Sequence, residues 1–398
     1  MLQLLKNTKA FDTLAKSALG SLLLLLPLFF IPAVGFGPAS SKYALLYTLT
    51  AVATLAYLLA RLSDRKIVLP KKSQTVSLGL VALVTILAAV FTGRLSDSFI
   101  GFGFEPTTAL SVLLFVVLAF LSSVYSREER TVNTALKLVA ASTAILFLYQ
   151  LVRLFGPTDF LGFNTFSGAY GNLLGKWNDV AIVAGLVVLT AFISLKGATK
   201  KTLLRSAPFI VVALFILKVA AFTLVWWVLA IFVLGVIVND SVQGKKITFF
   251  SKKSWNLYRT VGSVFVVGIL LYIFVNAQSV RLNSQGNLLR PNVYKIVQML
   301  PNYFGGVPTE VRPGVATSLT ILTKEMKAHP VFGAGPNRFV ESWVKNRPLD
   351  LGKTPYWATD FNFAIGYFPT LFVTTGILGT LALIYLLFNI VASVFKNV

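Results

Sequence analysis

The feature that most constrains this chain is a series of apolar segments, each close to the length that crosses a lipid bilayer. A transmembrane helix needs roughly 20 apolar residues. Ten such runs lie near residues 17–37, 43–60, 76–93, 108–124, 132–152, 178–195, 206–217, 221–238, 258–276 and 371–394. The pattern predicts an all-α, polytopic membrane helix bundle with about ten transmembrane helices, and a single membrane domain over residues 1–398.

The composition agrees with a surface that faces hydrocarbon. Of the 398 residues, 56% are hydrophobic and 13% are charged, whereas soluble domains carry about 25% charged residues. The chain has no Cys and one His, which excludes disulfides, thiolate zinc sites, iron–sulfur clusters and multi-His metal centres. We therefore expect neither a metal nor another cofactor.

The net charge of +22 indicates orientation in the membrane rather than a nucleic-acid partner. With the N-terminus inside, the predicted inner segments hold twenty Lys and Arg residues, and the short outer segments hold five. Positive residues concentrate on the inner side of membrane proteins. We expect both termini inside, and we expect the inner charge runs to contact anionic membrane lipids. The five outer cations are Lys42, Arg94, Arg153, Lys176 and Lys218.

Two apolar segments depart from the simple pattern. The stretch 206–238 is too long for one helix and is interrupted by Lys218, which predicts a hairpin whose tip barely leaves the membrane. The piece Phe361–Phe368 is too short to cross, so we expect it to be re-entrant or interfacial. The first run has no obvious small-residue cleavage site and is expected to stay in the mature protein.

The longest connection, 277–360, is expected outside and carries charges of both signs. Within it, Thr317–Met326 has apolar residues at helical spacing and Lys and Glu on the other face. This pattern predicts an amphipathic helix at the outer surface, with its charged face toward water. Chemistry is expected in this loop, because it is the one sizeable polar segment.

The most informative motif is Lys327–Phe339, KAHPVFGAGPNRF. Gly333 and Gly335 precede Pro336, so the segment is a tight turn that lets backbone approach a ligand closely. It resembles the "P-hydrophobic-hydrophobic-G-x-G-P-x-x-F" hallmark of the O-antigen ligase and O-antigen polymerase superfamily. Three further matches cover the latter half of the chain: Arg312 upstream, Gly376 and Gly379 entering the last span, and the Lys176–Asp179 segment in mid-chain.

The resemblance implies a metal-independent glycosyltransferase of the C-type fold in the cytoplasmic (inner) membrane. Such an enzyme moves a glycan from undecaprenyl pyrophosphate to a glycan, lipid or protein acceptor on the outer face. The departing diphosphate needs nearby cations, and the acceptor hydroxyl needs a base. On this basis, three groups of residues are candidates: Arg312 and Lys218 for the diphosphate; Asp360, Glu341 and His329 for the proton; Gly333, Gly335, Pro336, Lys176 and Asn178 for the donor loops.

The chain departs from the ligase pattern at two places. Thr223 and Leu224 stand where ligases carry a second arginine, and Ile365 stands where they carry a histidine. Two alternatives therefore stay open: a polymerase that joins repeat units, and a non-catalytic binder or transporter of lipid-linked glycans. Catalysis predicts that Arg312, Lys218 and an acid converge on one outward cavity.

Each candidate also has a purely structural interpretation. Arg312 can pair with Glu310, Lys218 can extend from a short helix toward water, His329 can cap a helix end, and Asp360 can mark the edge of a span. An aromatic group is typical of an interfacial belt, with sugar stacking as the alternative. It consists of Trp343, Tyr356, Trp357, Phe361 and Phe363.

Overall fold

The computed structural model describes residues 8–32, 37–101, 105–157, 160–163, 165–166, 171–194, 200–220, 222–243, 268, 281–282, 288–289, 312–349 and 358–395. Helices in these residues are α1 (Thr8–Leu25), α2 (Pro38–Asp64), α3 (Lys72–Phe91), α4 (Leu95–Phe99), α5 (Ala109–Tyr125), α6 (Glu129–Phe155), α7 (Trp177–Ser194), α8 (Lys200–Ala220), α9 (Thr223–Gln243), α10 (Val315–Ala328), α11 (Phe339–Asn346) and α12 (Tyr367–Phe395). A two-residue antiparallel pair joins β1 (Arg281–Leu282) to β2 (Leu288–Leu289).

The described chain is helical, and four of its helices are long and apolar enough to cross a membrane: α2, α3, α6 and α12. Shorter apolar helical segments occur at Ala109–Tyr125, Trp177–Ile193, Ala207–Ala220 and Leu224–Gly235. The helical, membrane-protein character predicted from the sequence agrees with this finding. The count of ten crossings stays a prediction, and the predicted run 258–276 lies outside the described residues except for Gly268.

The first predicted span, 17–37, is wrong in its bounds. Helix α1 begins at Thr8 and ends at Leu25. Pro27 and Pro32 follow, and proline both lacks the backbone donor of a helix and pushes the preceding residue toward extended conformations. The apolar run 17–37 therefore extends beyond the end of α1 at Leu25.

The chain divides into two compact units, Met1–Ser142 with Val311–Val398, and Thr143–Glu310. In the first unit, α1 and α2 are antiparallel. Thr8 Oγ1 donates to Ser63 Oγ at one end, at 2.9 Å. At the other end, Lys42 Nζ donates to the carbonyl oxygens of Leu26, Pro27 and Phe29. A cation at these carbonyls offsets the negative end of the α1 dipole.

One end of this unit, which we call the basic end, is formed by the start of α1, the end of α2, the start of α3, the end of α5 and the start of α6. Arg61 of α2 and Tyr125 of α5 both bind the Asp12 carboxylate of α1, at 2.7 and 2.8 Å. Lys16 pairs with Glu128 at 2.7 Å. Ser123 of α5 also donates to Gln74 of α3 at 2.8 Å, so that side-chain bonds link all five helices at this end.

The last helix, α12, is broken at Gly376, whose backbone has φ 63° and ψ −161°. At this break the segment 330–335, here called the inserted loop, exchanges four backbone hydrogen bonds with the helix. Ala334 and Gly335 donate to the carbonyls of Val373 and Thr374, at 2.8 and 3.0 Å. The carbonyls of Pro330 and Val331 in turn accept from Ile377 and Leu378, at 3.0 and 3.3 Å.

These four bonds replace two bonds of a regular helix. In an unbroken α12, Ile377 would donate to Val373 and Leu378 to Thr374, four residues earlier. The break separates both pairs, and the inserted loop satisfies every one of the four groups. Glycine is required both in α12 and in the inserted loop. A Cβ at Gly376 would collide with the Val331 carbonyl oxygen, and a Cβ at Gly333 would collide with the Val373 carbonyl oxygen.

In the second unit, α7 packs against both α8 and α9. Helices α8 and α9 are separated only by residues 221 and 222, and Lys218 lies in the last turn of α8. Arg153 of α6 is fully buried; it donates to Tyr149 and to the Phe160 carbonyl, both at 3.3 Å. Arg153 was predicted in an outer segment. Its burial shows that the guanidinium contacts protein groups rather than water.

The backbone exchange predicts that Gly376→Ala destabilises the protein by about 2–4 kcal/mol. The new Cβ would force a left-handed residue to shift and would disturb the bonds around it. Thermal unfolding of the purified chain in detergent, followed by circular dichroism, measures the change.

Gly79→Ala is the matched control, since Gly79 lies in α3 and a Cβ there would meet nothing within 4 Å. The control is expected within about 1 kcal/mol of wild type, because Ala is the better helix former. Equal unfolding temperatures for the two variants would show that the four exchanged hydrogen bonds do not stabilise the protein.

Candidate functional site

A cavity of about 480 Å³ lies beside the inserted loop in the first unit. We call it the loop cavity. Its wall combines the end of α3, the end of α10, the inserted loop and α11. The polar residues that line it are Thr92, Glu325, His329, Arg338, Glu341, Ser342 and Lys345.

Arg338 joins two of these elements, α11 and the end of α3. Its Nε and Nη2 atoms both donate to the Glu341 carboxylate, and the Nε bond measures 2.9 Å. Its Nη1 donates to the Thr92 carbonyl beyond the end of α3, at 2.9 Å. Two parallel bonds from a guanidinium to a carboxylate fix geometry as well as charge. Arg338 therefore holds α11 against α3 and gives the loop cavity a fixed positive group.

Glu341 is kept ionised by this pairing. The hydrogen bonds from Arg338 lower the pKa of Glu341, and the nearby Arg94, at 3.5 Å, acts in the same direction. Partial burial opposes the shift but is the weaker effect. The same pair raises the pKa of Arg338. A carboxylate of lowered pKa is a poor proton acceptor, so Glu341 serves better as the holder of Arg338 than as a base.

Glu325 is buried, with 4% of its surface exposed. It accepts from Ser342 Oγ at 2.9 Å and from Asn346 Nδ2 at 3.4 Å, both from α11. The predicted placement of this Glu on a solvent-facing side of the helix is wrong. Ser318, Ile321 and Glu325 form the buried stripe of α10. The Ser342 hydroxyl and the Asn346 amide of α11 donate to the Glu325 carboxylate, and these hydrogen bonds offset the cost of burying it.

Asn337 anchors the turn that follows the inserted loop. Its backbone has φ 64°, a left-handed conformation that Asn tolerates better than most residues. Its amide nitrogen donates to the Glu105 carboxylate and to the Asp97 carbonyl, and its amide oxygen accepts from Thr107. The turn is thereby attached to the connection between α4 and α5.

The structure brings together three of the residues singled out from the sequence. His329 caps the end of α10, is exposed and lines the loop cavity with Glu341 and Gly333. Gly335 is buried, and a Cβ there would lie 2.7 Å from Thr92 Oγ1. Pro336 is also buried, but it lines a second, mostly apolar cavity of about 260 Å³ between α3, α5 and α12.

Arg312 and Asp360 do not line the loop cavity. Arg312 is exposed, with its guanidinium 5.9 Å from the centre of the Phe363 ring. The Asp360 carboxylate is 58% exposed and lies 3.9 Å from Arg347.

Lys176, Asn178 and Lys218 belong to the second unit. Lys176 is exposed directly before α7, Asn178 is the second residue of that helix, and Lys218 is half-buried near the end of α8. The predicted convergence of Lys218 with Arg312 stays a prediction. Glu310, the alternative partner of Arg312, lies outside the described residues.

Trp343 is buried in the protein, so this member of the aromatic group does not belong to an interfacial belt. This side chain is 1% exposed, its Nε1 donates to the Thr359 carbonyl at 3.1 Å, and Phe361 packs edge-on against it at 4.8 Å. Phe361 also lies in an irregular segment that precedes α12. Tyr356 and Trp357 lie outside the described residues.

Sequence reasoning missed four residues of the loop cavity: Glu325, Arg338, Ser342 and Lys345. One pattern was available for two of them. Arg338 stands three residues before Glu341, and Lys345 four residues after it, which are the spacings of ion pairs on a helix. Within the described residues, no three His, Cys, Asp or Glu side chains gather closely enough to hold a metal ion.

Comparison with known proteins adds no family assignment. No protein-family model matches the chain. No curated protein matches it either. The geometry of the loop cavity and the residues of the inserted loop are therefore the basis for a functional proposal.

Replacing Glu341 with Gln is expected to lower stability at pH 7 by about 0.5–1 kcal/mol, a value already reduced for the solvent exposure of the pair. The pKa of Glu341 is lower in the folded state, so its contribution is complete above the unfolded value, about 4.3, and disappears as the pH falls through the folded one. Unfolding temperatures of both proteins between pH 3 and 8 test this, and the difference between the two curves should shrink as the pH falls below the unfolded value.

Arg338→Lys serves as the companion variant, because lysine keeps the charge but cannot bind Glu341 and Thr92 together. It is expected to be less stable than wild type across the whole range. A constant difference between Glu341→Gln and wild type down to pH 3 would show that the ionised pair does not contribute.

Proposed function

We propose that this protein is a polytopic membrane glycosyltransferase of the O-antigen ligase type. In this proposal, the loop cavity binds the diphosphate of a polyprenyl-linked glycan and the glycan passes to an acceptor on the outer face of the cytoplasmic membrane. The observation that carries the proposal is the gathering of Arg338, Lys345 and His329 around one cavity, beside the glycine-rich inserted loop.

The directions of the helices support an outer location for the loop cavity. The basic end of the first unit carries Arg65, Lys66, Lys71 and Lys72 in its α2–α3 connection. Positive residues mark the inner side. Thr92 and Arg338, which border the loop cavity, lie at the opposite end of α3. With ten crossings and both termini inside, the loop cavity then opens toward the outside.

Two cations of the cavity can contact a diphosphate leaving group, beside the carboxylates of Glu325 and Glu341 that also line it. Arg338 has five N–H donors, and the bonds to Glu341 and Thr92 use three of them. Lys345 is exposed on α11 and adds a second cation. Preorganised cations stabilise negative charge as it develops on the leaving oxygen. In this proposal, Arg338 and Lys345 supply the charge that the sequence alone assigned to Arg312 and Lys218.

The proposed reaction is a single displacement with inversion. The acceptor oxygen forms a bond to the anomeric carbon, the bond to the diphosphate oxygen breaks, and the diphosphate leaves with the electron pair. His329 accepts the proton of the acceptor hydroxyl. We favour His329 over Glu341 because Glu341 is engaged by Arg338, and over Asp360 because Asp360 does not line the cavity.

A second function, binding without transfer, is favoured by two residues. Leu224, after Thr223, and Ile365 stand where the ligase pattern has an arginine and a histidine. The same cavity can then hold a lipid-linked glycan for another protein. Both functions predict binding of the lipid, and only the first predicts release of the polyprenyl diphosphate.

The test uses the full chain in nanodiscs with a short undecaprenyl-diphosphate glycan and EDTA. Wild type is expected to bind the lipid and release undecaprenyl diphosphate. Lys345→Gln should weaken binding about tenfold, the loss of one ionic contact of roughly 1.4 kcal/mol. His329→Ala should leave binding within about twofold and reduce release at least a hundredfold, the range of a lost general base.

Lys327→Gln is the matched control, since Lys327 is an exposed cation of α10 that does not line the cavity. It is expected to behave as wild type. Arg312→Ala tests whether Arg312 or Lys345 binds the diphosphate. A loss of binding equal to that of Lys345→Gln would show that Arg312 belongs to the diphosphate site. Binding without release by wild type would contradict transfer, and absence of binding would contradict both functions.

A further inference from the structure

A third cavity, of about 870 Å³, lies in the first unit between α1 and the first turns of α6. We call it the α1–α6 groove. It is separate from the loop cavity and shares no lining residue with it. The following proposal does not depend on the proposed glycosyltransferase function.

The body of the groove is apolar. Leu19 and Leu23 line it from α1, and Leu136 and Val139 line it from α6. Leu23, Leu136 and Val139 are 39%, 62% and 44% exposed. At Gly20 the two helices come close, since a Cβ there would lie 3.2 Å from Leu138 Cδ1. Exposed apolar walls along two helices of a membrane protein suit a hydrocarbon chain.

The mouth of the groove is polar and cationic. Lys16 and Arg130 line it, together with the hydroxyl-bearing Ser17 and Thr131. The Lys16 ammonium is bound to Glu128, whose side chain is 62% exposed. Exposed ion pairs of this kind contribute little to stability, so a competing anion can displace Glu128. The mouth also belongs to the basic end, where further cations surround it.

The distances along the helices match a membrane amphiphile. Lys16 and Leu23 are seven residues apart in α1, which corresponds to about 10 Å of helix. One leaflet of hydrocarbon is roughly 15 Å thick. A head group at Lys16 therefore leaves an acyl chain that follows the apolar walls through most of one leaflet.

We propose that the α1–α6 groove is a binding site for an anionic glycerophospholipid of the surrounding membrane, with its phosphate between Lys16 and Arg130 and one acyl chain along Leu19, Leu23 and Leu136. The basic end faces the cytoplasmic leaflet by the positive-inside rule. Anionic lipids in that leaflet are attracted by cations near its surface. Binding adds a bridge between α1 and α6, beside the ion pair of Lys16 with Glu128, the residue before α6.

The experiment is native mass spectrometry of the full chain in detergent, titrated with phosphatidylglycerol or phosphatidylethanolamine of identical acyl chains. Wild type is expected to bind one phosphatidylglycerol about tenfold more tightly than phosphatidylethanolamine. The double variant Lys16→Gln/Arg130→Gln should lose this preference. Leu136→Trp, which fills the apolar body of the groove, should weaken the binding of both lipids.

The matched control is Lys71→Gln/Lys72→Gln, which removes the same charge from the same end but does not line the groove. It should retain the preference. Arg130→Gln alone is the milder variant if the double variant fails to fold, and it should reduce the preference about threefold. Equal losses in control and groove variants, no preference in wild type, unchanged affinity of Leu136→Trp, or a dimer that excludes lipid would each overturn the proposal.

Discussion

The interaction on which the rest of the first unit depends is the exchange of four backbone hydrogen bonds between the inserted loop and the break in α12. A buried backbone group left without a hydrogen-bond partner costs free energy comparable to a lost hydrogen bond. A break at Gly376 is therefore tolerable only with partners for its freed groups, and residues 330–335 supply all four. Neither segment can hold this conformation without the other.

The loop cavity follows from that exchange. With the inserted loop held against α12, the chain leaves it through Asn337 and Arg338, which bind the α4–α5 connection and the Thr92 carbonyl. Helix α11 then packs beside α10, and Glu325 finds its partners there. The cationic and acidic groups of the cavity thus all lie between residues 325 and 345, and they are held against a distant segment, the end of α3 at Thr92.

The sequence predicted part of this site. The glycines of KAHPVFGAGPNRF indicated a close backbone approach, and the resemblance drew attention to Gly376 as well. Neither pattern showed that the two motifs bind each other. Glu325 and Trp343 were misplaced for a related reason: helical spacing defines the faces of a helix, but only neighbouring elements decide which face is buried. Ser342 and Thr359 make those two burials possible.

Local sequence patterns were enough to show that the chain is helical and apolar enough for a membrane, and where its positive charges concentrate. These properties depend on local composition and periodicity, which short segments carry alone. The tertiary structure decided the break at Gly376, the burial of Glu325 and the choice of Arg338 over Arg312 at the cavity. Each of these depends on hydrogen-bond partners distant in sequence, because a polar group is buried only where another segment satisfies it.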